Sequence, residues 1–256
     1  MMVEKQIIAE ADFRYIESGE GTPVVILHGL MGGLSNFSGV LDYFPSRGFK
    51  VVVPQLPVYD LPLLTTNVKS LADFLDEFMS FKQIKEAVLL GNSLGGHIAL
   101  LYSKFHPQKV KGLVITGSSG LYENSMGDGY PKRGDYDYIK TKSEEVFYDP
   151  KIATKEIVDE VFETVNDRNK LVKTLAIAKS AIRHNMANDL PNMHTPTAII
   201  WGAQDSVTPP NVAEEFHTLL PNSSLYWIDK CGHAPMMEHP QQFNQIMHSW
   251  MEKNKL

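Results

Sequence analysis

Short continuous apolar runs alternate along this chain with longer segments in which apolar residues recur every three or four positions. Pro23–Leu27 and Ala87–Leu90 are runs of the first kind, which are typical of strands buried on both faces of a parallel sheet. Asn67–Phe81 is a segment of the second kind, with Asn67 as its expected capping residue. The alternation predicts an α/β fold with a doubly wound, mostly parallel sheet.

The same pattern predicts the other elements of an eight-stranded sheet. Six further strands are expected at Lys5–Ala9, Phe13–Glu17, Lys50–Val53, Val110–Ile115, Thr197–Trp201 and Ser224–Ile228. Further helices are expected at Leu34–Phe44, directly after Ser93, at Asn211–Leu220 and from about Pro240 to Lys253. The first two strands have no helix between them, so we expect them to form an antiparallel edge.

The alternation stops between residues 120 and 191. A polar, glycine-rich loop over 120–138 is followed by helical patterns at Ser143–Phe147, about Thr154–Val165 and about Asp167–His184. Thr141 and Glu144 have the spacing of a capping box for the first of these helices. The segment is too long for one crossover. It predicts a helical lid (120–191) inserted into a core formed by residues 1–119 and 192–256, the alternative being that these helices extend the core.

A Gly-x-Ser-x-Gly pattern lies at Gly91–Gly95, between an apolar strand and a predicted helix. This context is typical of a sharp turn that holds a serine in a strained backbone conformation at the carboxyl end of a sheet. The two glycines let strand and helix approach without Cβ clashes. The pattern predicts Ser93 as a nucleophile beside a helix amino terminus, where developing negative charge is favoured.

A serine nucleophile needs a base, and the base needs an orienting carboxylate. His233 follows the last strand in a Cys-Gly-His-Ala-Pro turn, and Asp205 follows the strand before it in a loop that leads to a helix. We therefore predict Ser93, Asp205 and His233 as nucleophile, acid and base, in the chain order Ser, Asp, His. Asp205 could instead serve only as a turn residue.

Competing residues exist for both partners of Ser93. His239 precedes a proline at a helix start, Asp229 ends a strand close to His233, and Asp189 lies at the end of the insertion. His28 is interpreted as a residue that holds its own turn by hydrogen bonds. His97, four residues after Ser93, is interpreted as a buried structural histidine.

Acyl transfer also requires fixed donors for the carbonyl oxygen that becomes negatively charged. The strand Val24–Leu27 leads into the glycine-containing loop His28–Gly33, which allows the main chain to approach a substrate closely. The backbone N–H groups of Leu30 and Leu94 are the predicted donors of this oxyanion hole.

The amino-acid composition limits which classes of protein and of binding partner fit this sequence. The 256 residues, 43% hydrophobic and 21% charged, suit one large soluble domain or a core with an insertion. The net charge is −6, and no Lys/Arg cluster along the sequence is dense enough to indicate nucleic acid or an anionic membrane. Cys231 is the single cysteine, which excludes an internal disulfide and favours a reducing compartment.

Features that the sequence lacks determine where we expect the protein to be located and whether we expect a cofactor. The start of the chain lacks the features of a secretory signal, and no apolar run reaches the roughly 18 residues of a membrane span. We expect a cytoplasmic protein, monomeric or homodimeric, that acts on a small molecule. No metal-ligand cluster or dinucleotide-type glycine pattern is present, so no cofactor is expected.

With these motifs in order, the chain resembles the α/β-hydrolase fold superfamily over nearly its whole length. Within it, the elbow Gly91–His97 is similar to those of small carboxylesterases and of meta-cleavage-product C–C hydrolases. The C–C hydrolases usually have a tryptophan directly after the catalytic histidine, where this chain has Ala234, and a lid arginine for the substrate carboxylate. Arg168 and Arg183 are the candidates for that arginine.

The resemblance implies a serine hydrolase that cleaves a carboxylic ester through an acyl-enzyme intermediate. A C–C hydrolase and a hydrolase-fold receptor for a small ligand are the alternatives. Serine at the elbow, in place of aspartate, argues against epoxide hydrolase and haloalkane dehalogenase chemistry. Aromatic residues of the insertion favour an apolar acyl or alcohol group, unless they only pack the insertion itself: Tyr122, Tyr130, Phe147, Tyr148 and Phe162.

Overall fold

The computed structural model describes residues 6–122 and 132–256, which form one mixed sheet of eight strands between helices. The strands are β1 (Ile8–Glu10), β2 (Phe13–Ser18), β3 (Thr22–Leu27), β4 (Phe49–Pro54), β5 (Ala87–Asn92), β6 (Val110–Thr116), β7 (Thr197–Gly202) and β8 (Ser223–Ile228). Their spatial order is β1-β2-β4-β3-β5-β6-β7-β8. Strands β3 to β8 are parallel, and β1 and β2 form the expected antiparallel edge. The doubly wound α/β fold is confirmed.

Helices cover both faces of the sheet because its central strands are apolar on both sides. In β3, Val25 and Leu27 pack with helices on one face, whereas Val24 and Ile26 pack with helices on the other. The first layer contains α2 (Val68–Phe81), α3 (Leu94–Phe105) and α7 (Pro210–Leu219). The second contains α1 (Ser38–Tyr43), α8 (Pro235–Glu238) and α9 (Pro240–Lys253). Asn67 caps α2 as expected, its side chain accepting from the Ser70 N–H at 2.9 Å.

Three helices lie in the segment between β6 and β7: α4 (Tyr136–Glu144), α5 (Lys155–Asn166) and α6 (Arg168–Arg183). Ile139, Val161, Val165 and Leu171 from these helices form a small apolar cluster that is separate from the two core layers. Met31, from the loop after β3, packs against this cluster. Ile177 and Ala181 of α6 pack in the first core layer. The insertion is therefore packed partly on itself, partly on the loop at the carboxyl end of β3 and partly on the core.

The first helix of the insertion differs from the sequence-based prediction. Asp135 caps it, accepting from the Tyr138 N–H at 3.1 Å, so the helix begins seven residues before the predicted Ser143. Thr141 lies inside the helix, and its hydroxyl donates to the Asp137 carbonyl at 3.0 Å. The predicted capping box and the helix Ser143–Phe147 are wrong. Of the aromatic residues singled out, Tyr130 lies outside the described residues.

The helix α3 lies very close to the strand β3. A Cβ added to Gly95 would lie 1.9 Å from the Leu27 carbonyl oxygen, and one added to Gly91 would lie 2.4 Å from the Gly95 backbone. Both distances are far inside van der Waals contact, so these positions admit no side chain without a backbone shift. The two outer glycines of the Gly-x-Ser-x-Gly pattern therefore set how close α3 lies to the sheet.

We predict that Gly95→Ala destabilises the protein by about 3 kcal/mol or more, because the added methyl group would overlap backbone that cannot move independently. Gly134→Ala is the matched control, since no atom lies within 4 Å of its Cβ position. Urea unfolding of both variants measures the free energies of unfolding. Equal stability of the two variants would contradict the packing described here.

Candidate active site

Ser93 lies at the turn between β5 and α3, in the conformation that the Gly-x-Ser-x-Gly pattern predicts. Its backbone angles are φ 55° and ψ −121°, a strained region for a residue with a side chain. Its N–H donates to the Thr116 carbonyl at 3.0 Å, which fixes the turn to the neighbouring strand β6. From Ala87 to Ser103 every residue except Ser93 is buried. The turn thus presents one serine at the surface of an otherwise buried segment.

Asp205 and His233 meet at the carboxyl ends of β7 and β8. The His233 Nδ1 atom lies 2.9 Å from Asp205 Oδ2 and 3.2 Å from Asp205 Oδ1, and both residues are buried. An ionised carboxylate accepts from Nδ1–H, and the neutral imidazole then carries its lone pair on Nε2. This is the tautomer that a general base requires. The pairing predicted from chain order is present in the geometry.

Asp205 also serves as a turn residue, so its role in the turn and its contact with His233 occur together. Its Oδ1 atom accepts from the Val207 N–H at 2.8 Å and from the Thr208 N–H at 3.0 Å. The Thr208 hydroxyl donates to Asp205 Oδ2 at 2.8 Å and lies 3.3 Å from His233 Nδ1. These donors fix the carboxylate before His233 contacts it.

Asn92 connects the serine turn to the histidine loop. Its amide Nδ2 donates to the Thr116 carbonyl and to the His233 carbonyl, each at 3.1 Å. Gly117, at φ 51°, leaves the space for the imidazole, since a Cβ there would lie 2.8 Å from His233 Nδ1. The residue directly before Ser93 is thus bonded to His233, which brings the two predicted partners to one edge of the sheet.

The residues that carry the predicted oxyanion donors lie close to Ser93 in the fold or in the chain. Leu94 is the first residue of α3, and Gly29 of the loop that contains Leu30 has its Cβ position 3.4 Å from Ser93 Cβ. Among the described residues, neither the Leu30 N–H nor the Leu94 N–H donates a hydrogen bond to another backbone group.

His28 holds this loop in place, as its interpretation from the sequence proposed. Its Nδ1 lies 2.9 Å from the Gly29 carbonyl, and its Nε2 accepts from the Leu56 N–H at 3.0 Å. Burial lowers the pKa of His28, so its ring is held in the neutral form that this pair of bonds needs.

The competing residues are engaged elsewhere. Asp229 is exposed and accepts from Gln204 Nε2 at 3.0 Å. His239 Nε2 lies 2.8 Å from the Lys230 carbonyl, and Asp189 forms an ion pair with Lys104 at 2.8 Å.

Contacts between the insertion and the histidine loop were not predicted from the sequence. The His233 N–H donates to the Val146 carbonyl at 2.9 Å. Glu238 accepts from the Gly232 N–H at 2.7 Å through one oxygen and from the Tyr148 N–H at 2.8 Å through the other. Partners about 90 residues apart in the chain leave no local sequence signal, so only the fold reveals them.

A cavity of about 570 Å³ lies beside the loop that carries Leu30, below α5. Its lining is mostly apolar and includes Leu30, Met31, Leu56, Val58 and Val161. Asp42 and Glu160 are its acids, and Arg14 is the one Lys or Arg among its described lining residues. Neither Arg168 nor Arg183 lines it. Ser93, Asp205 and His233 do not line it either, so the loop from His28 to Gly33 is its connection to the serine turn.

His97 forms a second histidine contact one helical turn beyond Ser93. Its Nε2 lies 3.1 Å from Nδ1 of His184, the residue directly after α6. Its Nδ1 is buried without a hydrogen-bond partner among the described residues. Burial, with a smaller contribution from His184, lowers the pKa of His97 from 6.5 to about 3. The interpretation of His97 as a buried histidine is confirmed.

In the ranges 6–122 and 132–256 no group of three or more His, Cys, Asp or Glu residues is placed to hold a metal ion. No helix within those same ranges has both the length and the apolar composition that crossing a bilayer requires.

Comparison with known families places this geometry in context. The model of the alpha/beta hydrolase family matches residues 24–246, which is most of the chain. The chain belongs to the alpha/beta hydrolase family. The matched region begins in β3 and ends in α9, so it includes Ser93, Asp205 and His233.

Relatives within the family differ in their named activities. The crystal structure of MGS-MChE2, an alpha/beta hydrolase from the metagenome of lagoon sediments at Mar Chica, Morocco, is 57% identical, with a TM-score of 0.83 over 98% of this chain and 100% of that one. A 2-hydroxy-6-oxononadienedioate/2-hydroxy-6-oxononatrienedioate hydrolase of Pseudomonas sp is 26% identical over 93% of this chain and 90% of its own length. The dihydrolipoyllysine-residue acetyltransferase component of the acetoin cleaving system of Pseudomonas putida is 27% identical, over 94% and 67%.

We predict that His97 makes this alpha/beta hydrolase less stable in acid. The native state keeps His97 neutral down to about pH 3, whereas the unfolded chain takes up a proton below about pH 6.5. The unfolded state therefore binds more protons in this window, and stability falls as the pH falls. The loss is about 1.4 kcal/mol per pH unit, or about 2 kcal/mol at pH 5.

Urea unfolding of the wild type, His97→Asn and the exposed control His217→Asn at pH 7 and pH 5 measures this contribution. The His97 variant should lose about 2 kcal/mol less than the wild type on acidification, and the control should lose as much as the wild type. Equal losses in all three proteins would rule out the contribution of His97.

Proposed function

We propose that this hydrolase cleaves carboxylic esters by acyl transfer to Ser93, with His233 as general base and Asp205 as the carboxylate that orients it. The observation that carries the proposal is the 2.9 Å contact between His233 Nδ1 and Asp205 Oδ2 beside the strained serine turn. A serine hydroxyl becomes a useful nucleophile only when such a base removes its proton. The nucleophile, the base and the orienting acid follow the chain order of the family.

In the first half-reaction His233 Nε2 takes the proton from Ser93 Oγ as that oxygen attacks the ester carbonyl carbon. The backbone N–H groups of Leu30 and Leu94 donate to the oxygen that becomes negative. The tetrahedral intermediate collapses, the bond from carbon to the alcohol oxygen breaks, and the alcohol leaves with the proton from His233.

In the second half-reaction water replaces the alcohol. His233 Nε2 takes a proton from the water molecule, the hydroxide adds to the acyl carbon, and Ser93 Oγ leaves and regains its proton. The acid is released. Asp205 stays ionised throughout and stabilises the imidazolium form of His233.

For the substrate we propose an uncharged ester with an apolar acyl or alcohol part. The 570 Å³ cavity supports this class, because its lining is mostly apolar and its acids, Asp42 and Glu160, outnumber its cation, Arg14. We further propose that residues 120–191 act as a lid over this cavity, since α5 contributes Glu160 and Val161 to its lining.

Hydrolysis of a C–C bond in a meta-cleavage product is the second candidate, and the name of the Pseudomonas sp relative favours it. Such substrates carry a carboxylate, and the C–C hydrolases that this chain resembles bind that carboxylate with an arginine of the lid. Here Ala234 follows His233 where a tryptophan is usual. Arg14 lines the cavity beside the Leu30 loop, whereas neither Arg168 nor Arg183 does. The departure at Ala234 favours the ester.

The deciding experiment compares short p-nitrophenyl esters with a vinylogous diketo acid as substrates. We expect turnover of the esters, a kcat/KM for the diketo acid that is far lower, and a loss of roughly 10⁴-fold or more in kcat for Ser93→Ala. The exposed Ser46→Ala is the control and should match the wild type.

Preferential turnover of the diketo acid would establish the second candidate instead. Binding of either compound without turnover would indicate a receptor that keeps the triad. Unchanged ester hydrolysis by Ser93→Ala would remove Ser93 from the mechanism.

A further inference from the structure

The outer surface of α6 carries charge of one sign. The 16 residues of this helix include five cations and no acid, in a chain whose net charge is −6. Arg168, Lys179 and Arg183 are exposed and lie near Val172 and Ala176 on one side of the helix, at spacings of three or four residues. We call these five residues the α6 outer face.

The cations of α6 fall into two groups by their contacts. Lys173 donates to the Tyr59 carbonyl at 2.6 Å, and Lys170 lies 5.7 Å from the centre of the Tyr59 ring. In contrast, Arg168, Lys179 and Arg183 have no ion pair with any described residue. The inner cations hold the insertion on the core, whereas the outer ones have no such role.

Exposed apolar side chains adjoin the α6 outer face. The short helical turn Leu63–Thr65 presents Leu63 at 50% exposure and Leu64 at 98%, and Val172 of α6 is 40% exposed. A groove of about 680 Å³ separates the turn from the helix, with Leu63 and Val172 on its sides and Lys179 and Arg183 at its edge. Leucines on a protruding turn beside unpaired cations form an amphipathic surface.

The sign of the charge limits what this surface can bind. A second copy placed face to face would bring like charges together, which costs free energy. A stable protein partner would need to bury roughly 800 Å² of complementary surface on this side. A lipid bilayer is fluid and needs no shape complementarity, so a narrow helix face and an exposed leucine are sufficient to bind it. Cations at headgroup level with leucines below them are the arrangement of surface-binding amphipathic helices.

We propose that the α6 outer face and the turn Leu63–Thr65 dock this protein on the surface of an anionic lipid bilayer. Arg168, Lys179 and Arg183 contact the headgroups, and Leu63, Leu64 and Val172 enter the acyl boundary. The cations are too scattered in the sequence to form a visible cluster, and they converge only when the helix forms. This inference does not depend on the proposed ester hydrolysis.

The test is co-sedimentation of the full chain with phosphatidylcholine vesicles prepared with and without phosphatidylglycerol. We expect binding to the anionic vesicles alone, and weaker binding as salt is added. Lys179→Glu combined with Arg183→Glu should lower the partition coefficient by roughly 25-fold or more. Loss of each cation accounts for about fivefold, and the added negative charges lower binding further. Leu64→Ser should lower it several-fold.

Lys253→Glu combined with Lys255→Glu is the matched control, because it makes the same charge change at exposed residues at the end of α9 and just after it. All substituted side chains are exposed, so circular dichroism should be unchanged. Equal binding to both kinds of vesicle, or equal weakening by the control pair, would overturn the proposal. The proposal would also be overturned if the protein failed to bind vesicles but was retained on immobilised polyglutamate, because that result would indicate an acidic protein partner.

Discussion

The site depends on the close packing of α3 against β3 and β5, which allows the chain to reverse at Ser93. With no Cβ at Gly91 or Gly95, the helix begins within contact of two strand backbones, and Ser93 is held at φ 55°. The cost of that conformation, of order 1–3 kcal/mol, is offset by the buried segment on either side. As a result, the Ser93 side chain lies at the amino end of α3, at the edge of the sheet.

The other candidate catalytic groups lie on separate loops, and hydrogen bonds join those loops. Asn92 bonds the serine turn to the His233 loop, and Asp205 bonds the end of β7 to the same histidine. The insertion takes part through the Val146 carbonyl, which accepts from the His233 N–H. A movement of residues 145–149 would therefore act on His233 directly, which couples the insertion to the proposed base.

Local patterns predicted the parts that local contacts determine. The Gly-x-Ser-x-Gly turn, the order of Asp205 and His233 and the edge strands could be inferred because each follows from neighbouring residues and strand order. The start of α4 could not, since Asp135 and Thr141 both have capping chemistry and burial of Ile139 decides between them. The second role of Asp205 as a turn acceptor was visible in the sequence, but only the structure shows that both roles coincide.

In the proposed mechanism, Asp205 makes Ser93 nucleophilic through His233. The most direct measurement of this effect is the rate of labelling by a reactive fluorophosphonate, with the labelled peptide identified by mass spectrometry. We predict one adduct, on Ser93, that forms roughly 10³-fold more slowly in Asp205→Asn and at the wild-type rate in Asp229→Asn. Labelling of another residue, or equal rates in the wild type and Asp205→Asn, would contradict it.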